Sequence, residues 1–271
     1  MKLLLVPARQ GLRWVTAGFA VFFKRPLAFA ALFTLFIFGG LVSMMLPFVG
    51  AWLLLAALPL VSLAFMLATQ RTLAGRAPTP GVFTEPLRVS PKRTRALIQM
   101  GLAYALASLL IIWLSDVADG GKFEALQDAM ASGKGDASAV AALLGDPQLQ
   151  FGLLLRFGLA TLLALPFWHA PALVHWGEVG AGKALFFSTV ACWRNFGAFL
   201  VYGLAWGGVI LAFGAVANLL AALLAQPQLI ALAAVPAGLL FSTIFYASLY
   251  FTVTDCFAVE DDAAAVAPEP A

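Results

Sequence analysis

The chain has 271 residues, of which 62% are hydrophobic and 11% charged, with a mean hydropathy of +0.95 and a net charge of +3. A soluble domain is about a quarter charged, so a water-soluble globule could not cover this much apolar surface. The basic residues gather in a few loops rather than over one surface, which argues for membrane orientation and against nucleic acid as a partner.

The first residues do not read as a secretory leader. The apolar run Leu3 to Val6 is short, Arg9 and Arg13 follow at once, and no small-residue cleavage site comes after them. Residues 7–25 predict an amphipathic helix lying on the membrane. Arg9, Arg13, Thr16, Ala20 and Lys24 share one face, while Leu12, Val15, Phe19, Phe22 and Phe23 share another. Trp14 and Arg25 fall outside both stripes. Basic heads toward phosphate and rings toward acyl chains are the interfacial pattern. Pro26 ends that helix and opens the next.

Leu27 to Gln70 carries no charge, which is about twice the length of one crossing. Pro47 marks the turn, and helices are expected at 27–46 and 49–70, the second kinked at Pro59. Residues 71–95 read as a Pro-rich basic loop that carries Arg88, Lys92, Arg93 and Arg95 with Glu85 as its one acid. That run suits either anionic headgroups or a bare topology signal. A third span is expected at 96–115.

An acidic segment at 116–150 follows, with short helices expected at 122–132 and 136–144 joined through Gly133 and Gly135. A fourth span covers 151–172, with Arg156 able to snorkel at its outer end. Residues 173–195 read as a second interfacial element, with Lys183 and Arg194 on one face and Phe186 and Trp193 on another. Spans at 196–224 and 229–254 complete six, and 259–271 reads as a disordered tail. Segments 1–25, 71–95 and 173–195 hold thirteen Lys and Arg, against three in 116–156. The asymmetry puts both ends in the cytoplasm of a bacterial inner membrane. The expected fold is an all-α polytopic membrane helix bundle, 1–258, of about six spanning helices plus one or two interfacial helices.

Two stretches, 11–33 and 182–203, share one layout: amphipathic stretch, basic residue, helix breaker, long apolar run. Either duplication or two solutions to one surface problem explains the echo. The order of surface helix, hairpin, basic loop and acidic loop, with PFWHAPALVHWGE (166–178) leading into FFSTVACWRNFGAF (186–199), resembles a group of uncharacterised proteobacterial integral membrane proteins. More loosely, it looks like the membrane domain fused to some bacterial glycerophosphodiester phosphodiesterases. That likeness implies no catalytic residue here, because their active site lies in a separate soluble barrel.

Trp168, His169, His175, Trp176 and Glu178 form the densest cluster of chemistry-bearing residues. Imidazole and carboxylate suit a metal or proton site, but histidines six apart across Pro171 share no certain face. An interfacial aromatic anchor at Trp168 and Trp176, with structural histidines, is the expected reading. Cys192 and Cys256 form no CxxC and read as packing residues. Gly203, Gly207 and Gly214 allow close approach of a helix, from this chain or from a second copy. No hydrolase elbow, zinc-protease helix or phosphate loop is present, and no cofactor is expected. The composition therefore points to a non-enzymatic protein that interacts with membrane lipids or other membrane proteins. The alternatives are a transporter component for a small or lipid-like molecule and, less favoured, an intramembrane enzyme using His169, His175 and Glu178.

Overall fold

The computed structural model describes residues 2–131, 137–226 and 228–258. The expected glycine link at 133 and 135 and the tail at 259–271 lie outside the described residues. The described fold is all-α apart from one two-residue strand pair. Six helical stretches are long and apolar enough to cross a membrane. They are α2 (Pro26–Met44), α3 (Gly50–Leu73), α4 (Pro91–Asp119), α7 (Pro147–Phe167) continued by α8 (Ala170–Trp176), α10 (Phe196–Leu223) and α11 (Gln228–Cys256). Between them lie α1 (Gln10–Lys24), α5 (Lys122–Ala131), α6 (Ala137–Leu144) and α9 (Ala181–Arg194).

Local chemistry sets the helix starts. Pro26, Pro91 and Pro147 stand at first-turn positions, where the missing N–H costs nothing. Ser90 caps α4 by accepting from the Arg93 N–H, and Asp146 caps α7 by accepting from Gln148 and Leu149. The cap at Ser90 moves the start of the third span. Lys92, Arg93 and Arg95, expected in the loop before residue 96, form the first turns of α4. The fourth span, expected at 151–172, lies within Pro147–Trp176 and carries a break: α7 ends at Phe167 and α8 runs from Ala170 to Trp176. The break has a local cause. The Ser188 hydroxyl accepts from the His169 N–H at 2.9 Å and donates to the Leu165 carbonyl at 2.8 Å. It thus inserts between the two groups that would have closed a helical hydrogen bond.

Burial is uneven along the spans. The core is built from Phe29 and Phe33 of α2, Leu63 to Thr69 of α3, Leu97 and Met100 of α4, Ala170 to Val174 of α8, Tyr202 of α10, and Ile244, Ala247 and Val253 of α11. All lie toward the end of the bundle where the two termini meet. Half of the most apolar stretch of α3 is buried, against 11% for that of α10 and 6% for that of the fourth span, so α3 is the central helix, α10 and α7 are peripheral, and α8 returns to the core.

The termini are joined directly. β1 (Lys2–Leu3) pairs antiparallel with β2 (Phe257–Ala258), and Leu4 donates to the Cys256 carbonyl at 2.9 Å. Asn195 bridges this join, accepting from Val6 N–H at 2.8 Å and donating to the Leu4 carbonyl at 3.1 Å. An even number of crossings requires both ends on one side, and this pairing puts them there.

The α1 helix departs from expectation. Its apolar side does not simply face acyl chains. Gly11, Trp14, Val15, Gly18, Val21 and Phe22 are buried against α10 and α11, while Leu12 and Phe23 remain exposed. Trp14, outside both stripes on the wheel, donates its indole N–H to Asp255 at 2.8 Å, and Gln10 donates to the same oxygen at 2.6 Å.

Candidate functional site

The basic residues converge at the end of the bundle that carries both termini. Arg71 is neutralised by Glu85 and Arg93 by Glu178. Arg88, Lys92 and Arg95 are exposed and, among the described residues, have no acidic partner. Arg88 and Arg95 line a cleft of about 560 Å³ with Leu87, Ser90, Thr94 and Gln99, and Lys92 and Arg95 continue into a neighbouring cleft beside Gly180. The first turn of α4 adds the partial positive charge of a helix N-terminus to the three side chains. The arrangement favours an anionic group.

A second set of basic residues runs along α1 to the α1–α2 junction. Arg9, Arg13, Lys24 and Arg25 are all exposed, as the amphipathic reading requires for the first three. The Arg25 guanidinium reaches the Gly75 carbonyl at 3.5 Å, which sets it beside exposed Arg76. The structure thus separates the basic residues into an α4 group and an α1–α2 group.

The histidine cluster does not assemble. His169 is fully buried, with Nδ1 3.7 Å from the Cys192 thiol and its ring edge-on to Phe199 and Phe257. Its Nε2 makes no hydrogen bond of ordinary geometry. His175 lies against Trp176 instead, Glu178 holds Arg93, and Asp255 holds Gln10 and Trp14. Among the described residues no three His, Cys, Asp or Glu side chains could share a metal ion.

Trp168 is half-buried and turned toward the bundle, against the expectation of a ring at the interface. It contacts Phe199, Tyr202 and Phe245 edge-on and donates to Thr252 at 3.2 Å. The reason is the break at Trp168–His169, which turns the chain into the core. Trp176, half-buried, meets Tyr250 edge-on. Beside Trp168 a crevice of about 120 Å³ opens between α3, α4, α7 and α11, lined by Pro59, Ser62, Tyr104 and Tyr246.

At the opposite end, Arg156 has partners within the protein. It pairs with Asp116, lies 3.9 Å from buried Asp119 and covers the Phe123 ring at 4.1 Å from its centroid. Lys122 meets Asp146 at 2.6 Å and by that hydrogen bond holds its carboxyl below the usual range. These contacts tie α5 back onto α7.

The glycines expected to pack helices are displaced from that role within the chain. A Cβ at Gly203, Gly207 or Gly214 would meet no atom within 4 Å. Close approach is made elsewhere: a Cβ at Gly11 would stand 2.1 Å from the Ala198 carbonyl, and one at Gly101 would stand 2.4 Å from the Ala56 carbonyl. The repeating signal that could have found Gly11 is its seven-residue spacing from Gly18, whose Cβ would stand 2.6 Å from Ser248.

A protein of Burkholderia thailandensis described as a probable inner membrane protein is 33% identical to this chain over 271 residues, covering 99% of this chain and 98% of the other. The chain belongs to that family of inner membrane proteins. The matched length takes in all six candidate spans and both α1 and α9. No family model and no solved structure matches the chain. The looser likeness to the phosphodiesterase membrane domain therefore finds no support.

Proposed function

We propose that this inner membrane protein is non-enzymatic and holds anionic lipid at its cytoplasmic face. The observation that carries the reading is the trio Arg88, Lys92 and Arg95. Among the described residues they stand without acidic partners: Arg88 and Arg95 line a cleft of about 560 Å³ at the head of α4, and Lys92 joins Arg95 in the neighbouring cleft. Three uncompensated cations at a helix N-terminus attract phosphate, and juxtamembrane cations contribute about 1 kcal/mol each toward an anionic surface. The thirteen-to-three excess of Lys and Arg on the segments that meet at this end supports a cytoplasmic placing of both termini. A reporter fused after Ala271 should then read cytoplasmic, and periplasmic activity there would reverse the assignment.

The binding test uses short-chain dioctanoyl phosphatidylglycerol titrated onto the purified protein in neutral detergent. Replacing Arg88, Lys92 and Arg95 together by Gln should weaken binding about tenfold or more, and the matching phosphatidylcholine should bind wild type no better than the variant. Equal affinity of wild type and variant for the anionic lipid would overturn the reading.

A transporter component is the second reading, and the aromatic crevice beside Pro59 is what favours it. Its volume of about 120 Å³ falls below the ~300 Å³ at which ligand pockets begin. The lipid-holding reading is therefore preferred.

A further inference from the structure

An apolar groove of about 450 Å³ runs along the outer side of the α2–α3 hairpin. Leu35, Phe36 and Leu54 line it, and Gly39, Gly40 and Ser43 form its floor on the α2 side. Gly39 is exposed, and a Cβ there would meet nothing within 4 Å. The trough exists because two consecutive residues of α2 have no side chain.

One end of the groove is closed by Pro80, Phe83 and Thr84, which belong to the basic loop. Phe83 is anchored edge-on against Phe65 of α3, so the loop folds down onto the hairpin. Four residues before Pro80 stands Arg76, within about 14 Å of it even along a fully extended chain. Arg25 reaches the carbonyl of Gly75, the neighbour of Arg76. Arg25 and Arg76 are both exposed and, among the described residues, have no acidic partner, whereas Arg71 nearby is already neutralised by Glu85. Two cations without acidic partners among the described residues thus stand a short length of chain from Pro80, at the end of an apolar trough that they do not themselves line.

We infer that the α2–α3 groove is a second lipid site, which holds one acyl chain of an anionic glycerophospholipid whose phosphate lies between Arg25 and Arg76. Charge complementarity selects this occupant. A neutral hydrocarbon would leave the cations unused, and a free anion would leave the trough unused. The site deepens the lipid-holding reading but uses none of the residues of the α4 cleft, so the two stand or fall separately.

The test is native mass spectrometry of the full chain in detergent with dipalmitoyl phosphatidylglycerol, dipalmitoyl phosphatidylcholine or inorganic phosphate. Wild type should retain phosphatidylglycerol at least tenfold better than phosphatidylcholine, and phosphate should not compete. Gly39→Leu fills the trough from a position open to solvent lipid and should lower retention about tenfold, while Gly39→Ala should keep most of it. Arg25→Gln with Arg76→Gln should abolish the preference over phosphatidylcholine. Replacing Arg88, Lys92 and Arg95 by Gln should leave the Gly39-sensitive retention in place. Unchanged retention in a Gly39→Leu variant that melts like wild type would overturn the inference. So would loss of all retention in the α4-cleft variant alone, which would leave that cleft as the lipid site.

Discussion

The α1–α2 and α9–α10 segments carry the same layout in sequence and make different use of it. Each is an amphipathic helix, a break at a polar residue, and a long apolar helix. Yet α1 buries Trp14, Val15 and Phe22 between α10 and α11, whereas α9 buries only small residues, Ala184, Ser188, Ala191 and Cys192. The large side chains of α9 turn outward, with Phe186 and Trp193 exposed beside Lys183 and Arg194. So α9 is the helix that offers aromatic rings and cations together to a bilayer surface, and α1 is largely part of the core. An amphipathic wheel gives the width of an apolar face but not whether lipid or protein will cover it. Glycine spacing gives that second piece of information. A helix that brings backbone against backbone needs glycine at the crossing, and α1 has it at Gly11 and Gly18.

The sharpest test of the difference is to add bulk to both helices. Gly11→Leu or Gly18→Leu would drive a side chain into the α10 and α11 backbones and should cost about 3 kcal/mol or more. Gly182→Leu, at a site on α9 where a Cβ meets nothing within 4 Å, should stay within about 0.5 kcal/mol. Thermal unfolding of the purified variants in detergent reads both, and similar losses for the two helices would dissolve the comparison. Each helix also has one polar anchor. On α1 it is Asp255 receiving Trp14 and Gln10, and on α9 it is the Ser188 hydroxyl set between His169 and Leu165. Hydrogen bonds to a charged group contribute about 1.5–3 kcal/mol, and a buried group left unpaired costs about 1–3 kcal/mol. Asp255→Ala and Ser188→Ala should therefore each lower stability by about 2 kcal/mol in the same assay. A neutral result for Ser188→Ala would mean that α7 and α8 can rejoin into one continuous helix.

Much of this was legible from residues alone, and the parts that were not share a cause. The six spans follow from apolar runs long enough to cross, because chain length and bilayer thickness are both fixed. The start of α4 was also written in the sequence, in the pair Ser90–Pro91, but the cations at Lys92, Arg93 and Arg95 suggested a loop. A helix tolerates them there because its first turns stand at the membrane surface. Trp14 escaped detection because its partner, Asp255, is 241 residues away. Ser188 escaped for the same reason, since a lone serine on an amphipathic helix carries no local sign of the helix it will interrupt. Local pattern sets elements, while a hydrogen bond between distant elements becomes visible only after folding. The candidate site follows the same rule. That Arg88, Lys92, Arg93 and Arg95 are basic was plain, but that Glu178 takes only Arg93 out of the group required the fold.

A smaller effect is expected at the histidines. His169 is fully enclosed beside α9, and His175 is also buried but keeps 9% exposure, with its ring edge-on to Trp176. His169→Gln should lower stability by about 1–2 kcal/mol through lost packing and a buried amide with few partners. His175→Gln, at a buried site that keeps a little exposure, should lower it by less, about 1 kcal/mol or below. Equal effects would mean that the enclosure of His169 does not hold α9 in place.

The last test leaves stability untouched and reads exposure directly. Both native thiols are buried, and burial pushes the Cys192 thiol up, which lowers the thiolate fraction that reacts with maleimide. Wild type should therefore label slowly, so single introduced cysteines can be read against a quiet background. Along α1, cysteine at Arg13, Thr16 or Ala20 should label readily from the cytoplasmic side, and cysteine at Val15 or Val21 should not. On α9, cysteine at Lys183 or Arg194 should label, and bimane attached at Phe186 or Trp193 should shift to the blue as the dye enters the bilayer interface. At Val15 of α1 the same dye would have no lipid to enter. A lipid-like shift on labelling Val15, with unchanged thermal stability, would mean that α1 lies on the membrane as α9 does and is not clasped by α10 and α11. That outcome would make the two helices alike and restore the simple interfacial reading of the N-terminal segment.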